Sequence, residues 1–162
     1  MQTDIEIYPW AGYYCLLMRI ALENRAYTRG LYMNRLEIEW RHLDKDGKTC
    51  DRCADTGETV RAAYQDLVRE FAPQGWKILL KETLLTDQEI PESNSIYLNG
   101  IAIEELLPDT RRSENCCVSC GEILGAPTMC RTLEQNGRTF ETIPTAMILE
   151  AAHRLIKNQA SR

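Results

Sequence analysis

The chain has no surplus of positive charge. Its 162 residues carry 19 Lys and Arg against 24 Asp and Glu, a net charge of −5. Phosphate backbones are held by a basic excess, so general nucleic-acid binding is not expected. A long apolar run is also missing. The longest one near the start, "AGYYCLLM" at 11–18, is cut by Arg19 and follows an acidic opening with Pro9, which fits neither a signal peptide nor a membrane span. The expected compartment is therefore the reducing cytoplasm, with no membrane partner. Repeats, low-complexity tracts and an interdomain linker are absent too, so a single domain with embellishments is expected.

Histidine is scarce, with two in the chain. His42 ends an apparent strand, where a polar group is unremarkable and a pH-tunable base conceivable; His153 falls on the last helix, where solvent is expected. Cysteine is not scarce. There are seven, an odd number, so one thiol at least stays unpaired. With 44% apolar residues the chain can bury a real core and has no need of disulfide staples. In a reducing compartment closely spaced cysteines are more often redox-active or metal-binding than permanently bridged.

Hydrophobic periodicity places the elements. Residues 10–28 read as an apolar helix, within which Cys15 behaves as a small hydrophobe. It forms an N-terminal extension over 1–32, with a face that suits a homodimer contact, ahead of a main domain at 33–162. "RLEIEWRHL" alternates Leu36, Ile38 and Trp40 against Glu37, Glu39 and Arg41, the period of a half-buried strand. From Asp51 to Phe71 the apolar positions Val60, Ala63, Leu67 and Phe71 fall at helical spacing, and Pro73 and Gly75 close that helix. "WKILLKETLL" predicts a second strand. Two hairpins are marked by Asn99-Gly100 and Asn136-Gly137. Pro144 precedes an amphipathic C-terminal helix carrying Met147, Ile148, Ala151 and Leu155. Strand, helix, strand is a βαβ unit with parallel strands, and the first hairpin extends it to a mixed four-stranded sheet.

The first sulfur pair is Cys50-Asp51-Arg52-Cys53, at a helix start just after a strand. This is the thioredoxin-like redox pattern. Unpaired N–H groups and the positive helix end stabilise a thiolate, making Cys50 the attacking sulfur and Cys53 the resolving one. Arg52 favours the thiolate and Asp51 opposes it. Alternatively the pair is half of a zinc site. Thioredoxin-like folds usually set a cis-proline facing the dithiol, and here Asn94 holds the matching position. A non-proline cis bond costs about 2.5–4 kcal/mol, so Asn94 is expected trans, or strained for a reason, and it gives the dithiol a more polar neighbour.

The second group lies in "NCCVSCGEILGAPTMC", with Cys116, Cys117, Cys120 and Cys130, inside a cysteine-rich insertion at 113–130. Cys117-Val-Ser-Cys120-Gly121 has the spacing of a chelating knuckle, where the glycine permits the turn. Adjacent Cys116 and Cys117 point in different directions, so three ligands drawn from this loop with a fourth from elsewhere suit one ion better than all four. Cys117, Cys120 and Cys130 are the metal candidates, for zinc or another thiophilic ion. Two other readings stand beside that one: a resolving dithiol that exchanges with Cys50 and Cys53, or a structural bridge to Cys130. Direct exchange requires Cα atoms within about 7 Å.

"LEIEWRHLD…TCDRC", then "ESNSIYLNGIAIEELL" and "CCVSCG…CRTLEQNGRTFETIP", resembles a small bacterial and archaeal thioredoxin-like family of unknown function, over about Leu36 to Leu155. The resemblance implies an α/β fold, a thioredoxin-like mixed sheet flanked by helices, with a cysteine-rich loop and an extra hairpin before the C-terminal helix. It implies no particular reaction. The expected activity is thiol–disulfide redox chemistry on a disulfide or thiophilic substrate, and the alternative is a non-catalytic zinc or soft-metal thiolate protein.

Overall fold

A computed structural model describes residues 34–160. The helix expected at 10–28, the 1–32 extension around it and Cys15 lie outside the described residues. Strand β1, Arg35–Leu43, coincides with the alternating stretch, and Leu36, Ile38 and Trp40 bury one face of it. Its other face carries Glu39, which accepts hydrogen bonds from Lys81 (2.9 Å) and Thr83 (2.8 Å) and pairs with Arg41 at 3.1 Å. A buried carboxylate so satisfied is tolerated inside a sheet.

Helix α1, Asp51–Phe71, sets Val60, Ala63, Leu67 and Phe71 into the core and ends at Ala72, ahead of Pro73 and a left-handed Gly75. It packs on β1, on β2 (Lys77–Leu85) and on the C-terminal helix. Gly57 faces Trp40 so closely that a Cβ there would meet the indole at 2.5 Å. The helix lies low on the sheet because that position has no side chain.

Strands β1 and β2 run parallel, as the βαβ reading requires. β3, Ser95–Leu98, pairs antiparallel with β1, and β4, Ile101–Ala102, turns back on it through Asn99-Gly100, giving the order β2-β1-β3-β4. A short helix α2, Ile103–Leu106, leads to β5, Thr110–Cys116. The cysteine-rich segment is more ordered than a loop. β5 pairs antiparallel with β6, Met129–Gln135, and between them Val118–Leu124 forms helix α3. β7, Arg138–Phe140, completes a second, three-stranded sheet through the Asn136-Gly137 turn. Helix α4, Thr145–Ala160, follows Pro144, whose carbonyl accepts the Met147 N–H at 3.0 Å. The fold is a mixed α/β domain, with the extra hairpin before the C-terminal helix as expected. Among the described residues no helix is long and apolar enough to cross a membrane.

Candidate thiolate centre

Cys50 is the N-cap of α1, in extended conformation, and its carbonyl accepts the Ala54 N–H at 2.9 Å. Cys53 stands in the first turn, with its sulfur 3.4 Å from the Ser93 hydroxyl, which also accepts the Leu43 N–H at 3.0 Å. Cys117 is the N-cap of α3, and Cys120 faces inward one turn later. Gly121 lets the chain double back after α3, since a Cβ there would come within 3.1 Å of the Ala126 carbonyl. Cys130 sits on β6, opposite Asn115.

These segments meet. The Sγ atoms of Cys50, Cys117 and Cys120 all lie within 4.8 Å of one another, and all three residues are buried. Cys53 and Cys130 stand beside this trio, Cys53 influenced by the Cys50 thiol and Cys130 by the thiols of Cys120, Cys50 and Cys117. The two sulfur groups are therefore one cluster of five buried thiols, at 0–2% exposure each. Cys116 does not join it. That residue ends β5 with its side chain exposed, and no disulfide joins any described cysteine. Strand alternation sends neighbours to opposite sides, which is why Cys116 and Cys117 part.

The cluster divides its charge unequally. Thiols of Cys120, Cys130 and Cys53, in that order of effect, hydrogen-bond the Cys50 sulfur, and the Cys53 backbone N–H adds to them, so the Cys50 thiol is held far below its ordinary value despite burial. Its partners rise. Contact with Cys130, then with Cys50, pushes Cys120 up, and contact with Cys50 plus burial does the same for Cys53. For Cys130 the Cys120 contact acts downward, but Cys50, burial and Cys117 outweigh it and bring the thiol to about 12. Without a metal, negative charge in this group is thus favoured on Cys50 over Cys53, Cys120 and Cys130.

Arg52 does not point its charge at the cluster. Its Nη2 donates to the Cys116 carbonyl at 2.5 Å, its Nη1 to the Asn115 side chain, and its Nε pairs with Glu141 at 3.0 Å. Asn115 in turn donates to Glu141 at 2.6 Å, and Asn94 donates to the Glu141 carbonyl at 3.0 Å. Ser119 accepts the Asp51 N–H at 3.3 Å. The helix bearing the first cysteine pair is thus tied to the strand and helix bearing the second. Asn94 is trans and left-handed at φ 62°, a conformation asparagine tolerates, and its Oδ1 is buried without a partner. Asn115, Ser119, Ser93 and Glu141 all stood inside quoted motifs without a role.

His42 is buried, stacked on Trp40 with ring centroids 3.9 Å apart, and bonded to Glu82 at 2.8 Å and Thr49 at 3.2 Å. It is a satisfied strand-end group. His153 is exposed on α4 and pairs with Glu70 at 2.9 Å.

Two sheets, flanking helices and a buried cysteine cluster define an α/β domain with a thiol centre. A family model described as a domain of unknown function, DUF2703, matches residues 36–152, and the chain belongs to that family. A protein of Archaeoglobus fulgidus described as uncharacterized is similar to it, 30% identical over 118 residues, covering 70% of this chain and 82% of that protein. No solved structure matches the chain.

Proposed function

We propose that this protein binds a thiophilic metal ion, zinc or a softer one, at a four-sulfur site formed by Cys50, Cys117, Cys120 and Cys130. The observation that carries the reading is the mutual 4.8 Å proximity of three buried sulfurs from two distant segments. Tetrahedral zinc with Zn–S bonds of about 2.3 Å sets sulfurs about 3.8 Å apart, so Cys50, Cys117 and Cys120 draw in by no more than about 1 Å. Cys130, buried beside the trio and influenced by the thiols of Cys120, Cys50 and Cys117, is the fourth donor in this reading. Burial supports the same reading. A thiolate held away from water is costly unless a cation offsets it, and Arg52 is occupied by Glu141.

A second reading keeps the thioredoxin-like redox role. It is supported by the strand order, by the cysteine pair opening the helix after β1, and by the contact between Cys50 and Cys53. Against it, Cys50 is 1% exposed, which leaves a protein disulfide no sulfur to reach. Either way the substrate class is thiophilic, and the cytoplasmic location belongs to the same proposal.

The test is anaerobic titration of the reduced, metal-free full chain with zinc against a chromophoric chelator. One equivalent is expected, lost in Cys50→Ser and Cys120→Ser and retained in Cys53→Ser. Absence of stoichiometric zinc, copper(I) or cadmium binding contradicts the proposal, and insulin-type disulfide reduction that vanishes in Cys50→Ser would favour the second reading instead.

A further inference from the structure

The sulfurs that the fold draws closest together form a trio. Cys50, Cys117 and Cys120 are the group whose Sγ atoms all lie within 4.8 Å of one another, and each residue is at most 2% exposed. Cys53 and Cys130 are buried too, but they are not members of that group. Charge decides what such a trio holds best. A divalent ion among four thiolates leaves two negative charges in the interior, and among three it leaves one. Little nearby offsets them. Arg52 is committed to Glu141, Arg131 on β6 is paired with Glu104, and the positive end of α1 is worth about half a charge. A buried charge left without a partner is expensive. A trivalent ion among three thiolates leaves no charge at all. Trivalent arsenic and antimony meet that condition, being thiophilic and limited by their lone pair to three ligands on one side of the ion.

The approach to the trio suits an uncharged solute as well. Cys117 lies in the wall of a surface cavity of about 400 Å³, lined mostly by Val118, Gly121, Gly125, Ala126 and Pro127, with one carboxylate, Glu122. Arsenous acid is uncharged at neutral pH, so entering an apolar cavity costs it far less hydration than it costs a dication.

We infer that Cys50, Cys117 and Cys120 form a trithiol receptor for trivalent arsenic or antimony, taken up as the neutral hydroxide. The inference rests on the thiophilic centre proposed above and departs from it in valence and in leaving Cys130 unbonded. Three ligand exchanges load the site. In each a sulfur bonds the arsenic, a hydroxide leaves, and the thiol proton goes with it as water. Where the sulfur starts as a thiolate, as at Cys50, solvent supplies that proton. One arsenous acid and three thiols thus give one tris-thiolate and three waters, with no change of oxidation state. Cys130 separates the two ligand classes, because tetrahedral zinc needs a fourth sulfur and trivalent arsenic does not.

The probe is arsenite, titrated anaerobically into the reduced, metal-free full chain, with zinc titrated in parallel. One equivalent of arsenic is expected. Cys50→Ser, Cys117→Ser and Cys120→Ser should each weaken arsenite binding by about 100-fold or more, the scale of a lost chelating arm. Cys130→Ser should leave it unchanged while losing the zinc. Arsenic K-edge absorption on the loaded wild-type chain should show three sulfurs and no oxygen, a readout that does not depend on how a variant folds. Zinc uptake without arsenite uptake overturns this inference and leaves the four-sulfur site standing. A shell that keeps oxygen, or arsenite binding that survives Cys117→Ser, also overturns it, because the trio would not be the receptor. Arsenic in a three-sulfur shell without zinc uptake supports it and removes the four-sulfur site. If neither binds, both readings fall.

Discussion

Arg52 donates through Nη2 to the Cys116 carbonyl oxygen at 2.5 Å, joining the interior of one cysteine pair to the residue that precedes the other. The guanidinium fork also holds Asn115 and Glu141, so a single side chain fixes both halves of the thiolate centre. Substituting Arg52 with alanine should lower metal affinity roughly 10- to 100-fold, the size usual for groups that orient ligands. Lysine should rescue little, since a point charge cannot hold three acceptors in one plane. Competition titration of R52A and R52K, with cobalt(II) spectra to show that the sulfur ligands are kept, checks both expectations. A wild-type affinity in R52A would contradict the positioning role.

Metal loading should expel protons. Cys120 is held above its ordinary 9.0, and Cys130 is pushed up to about 12, so both are protonated at neutral pH and must ionise to coordinate. About two protons or more per ion are therefore expected at pH 7, measurable by calorimetry in buffers of different ionisation enthalpy. A release below one proton would contradict the protonated state of Cys120 and Cys130 in the metal-free centre.

The same shifts make the metal-free protein alkali-sensitive. For Cys53, Cys120 and Cys130 the folded pKa is raised, so their contribution is fully present below the unfolded value of 9.0 and is lost as pH rises above it. Cys50 is shifted the other way, so its contribution grows with pH up to that value and stays constant above it. Thermal stability should accordingly fall above about pH 9 in the metal-free chain, and much less in the loaded one, whose ligands are already deprotonated. Melting curves from pH 7 to pH 10 read this directly.

Gly57→Ala should destabilise, although alanine is the better helix former by about 1 kcal/mol. The added methyl would meet the Trp40 indole at 2.5 Å, and that ring is stacked on His42 and has little room to yield. A net loss of about 1–2 kcal/mol is expected from denaturant unfolding. A gain in stability would show that α1 can lift off β1.

How much of this was legible in the sequence depends on how local the cause is. Leu36, Ile38 and Trp40 alternate because one face of β1 is buried, and the helix from Asp51 to Phe71 carries its core stripe and its stop signals in its own residues. The two Asn-Gly turns announced both hairpins. β5 was not legible. "TRRSENC" has no apolar alternation, because it is an edge strand with both faces largely in solvent, held by its ladder to β6 and by pairs such as Arg111 with Glu134 at 2.8 Å. α3 is 7 residues long, too short for a period to register. The cysteines were visible as two groups. That they form one was not, because the convergence of Cys50 with Cys117 and Cys120 depends on how the second sheet is tied to α1 through Arg52, Ser119 and Glu141.

The central claim is that the two cysteine groups close around one ion. Zinc K-edge X-ray absorption on the reconstituted full chain tests it most directly. The account predicts one equivalent of zinc in a shell of four sulfurs at about 2.3 Å, with no lighter donor. A shell containing nitrogen or oxygen, or an all-sulfur shell that persists unchanged in Cys50→Ser, would contradict it.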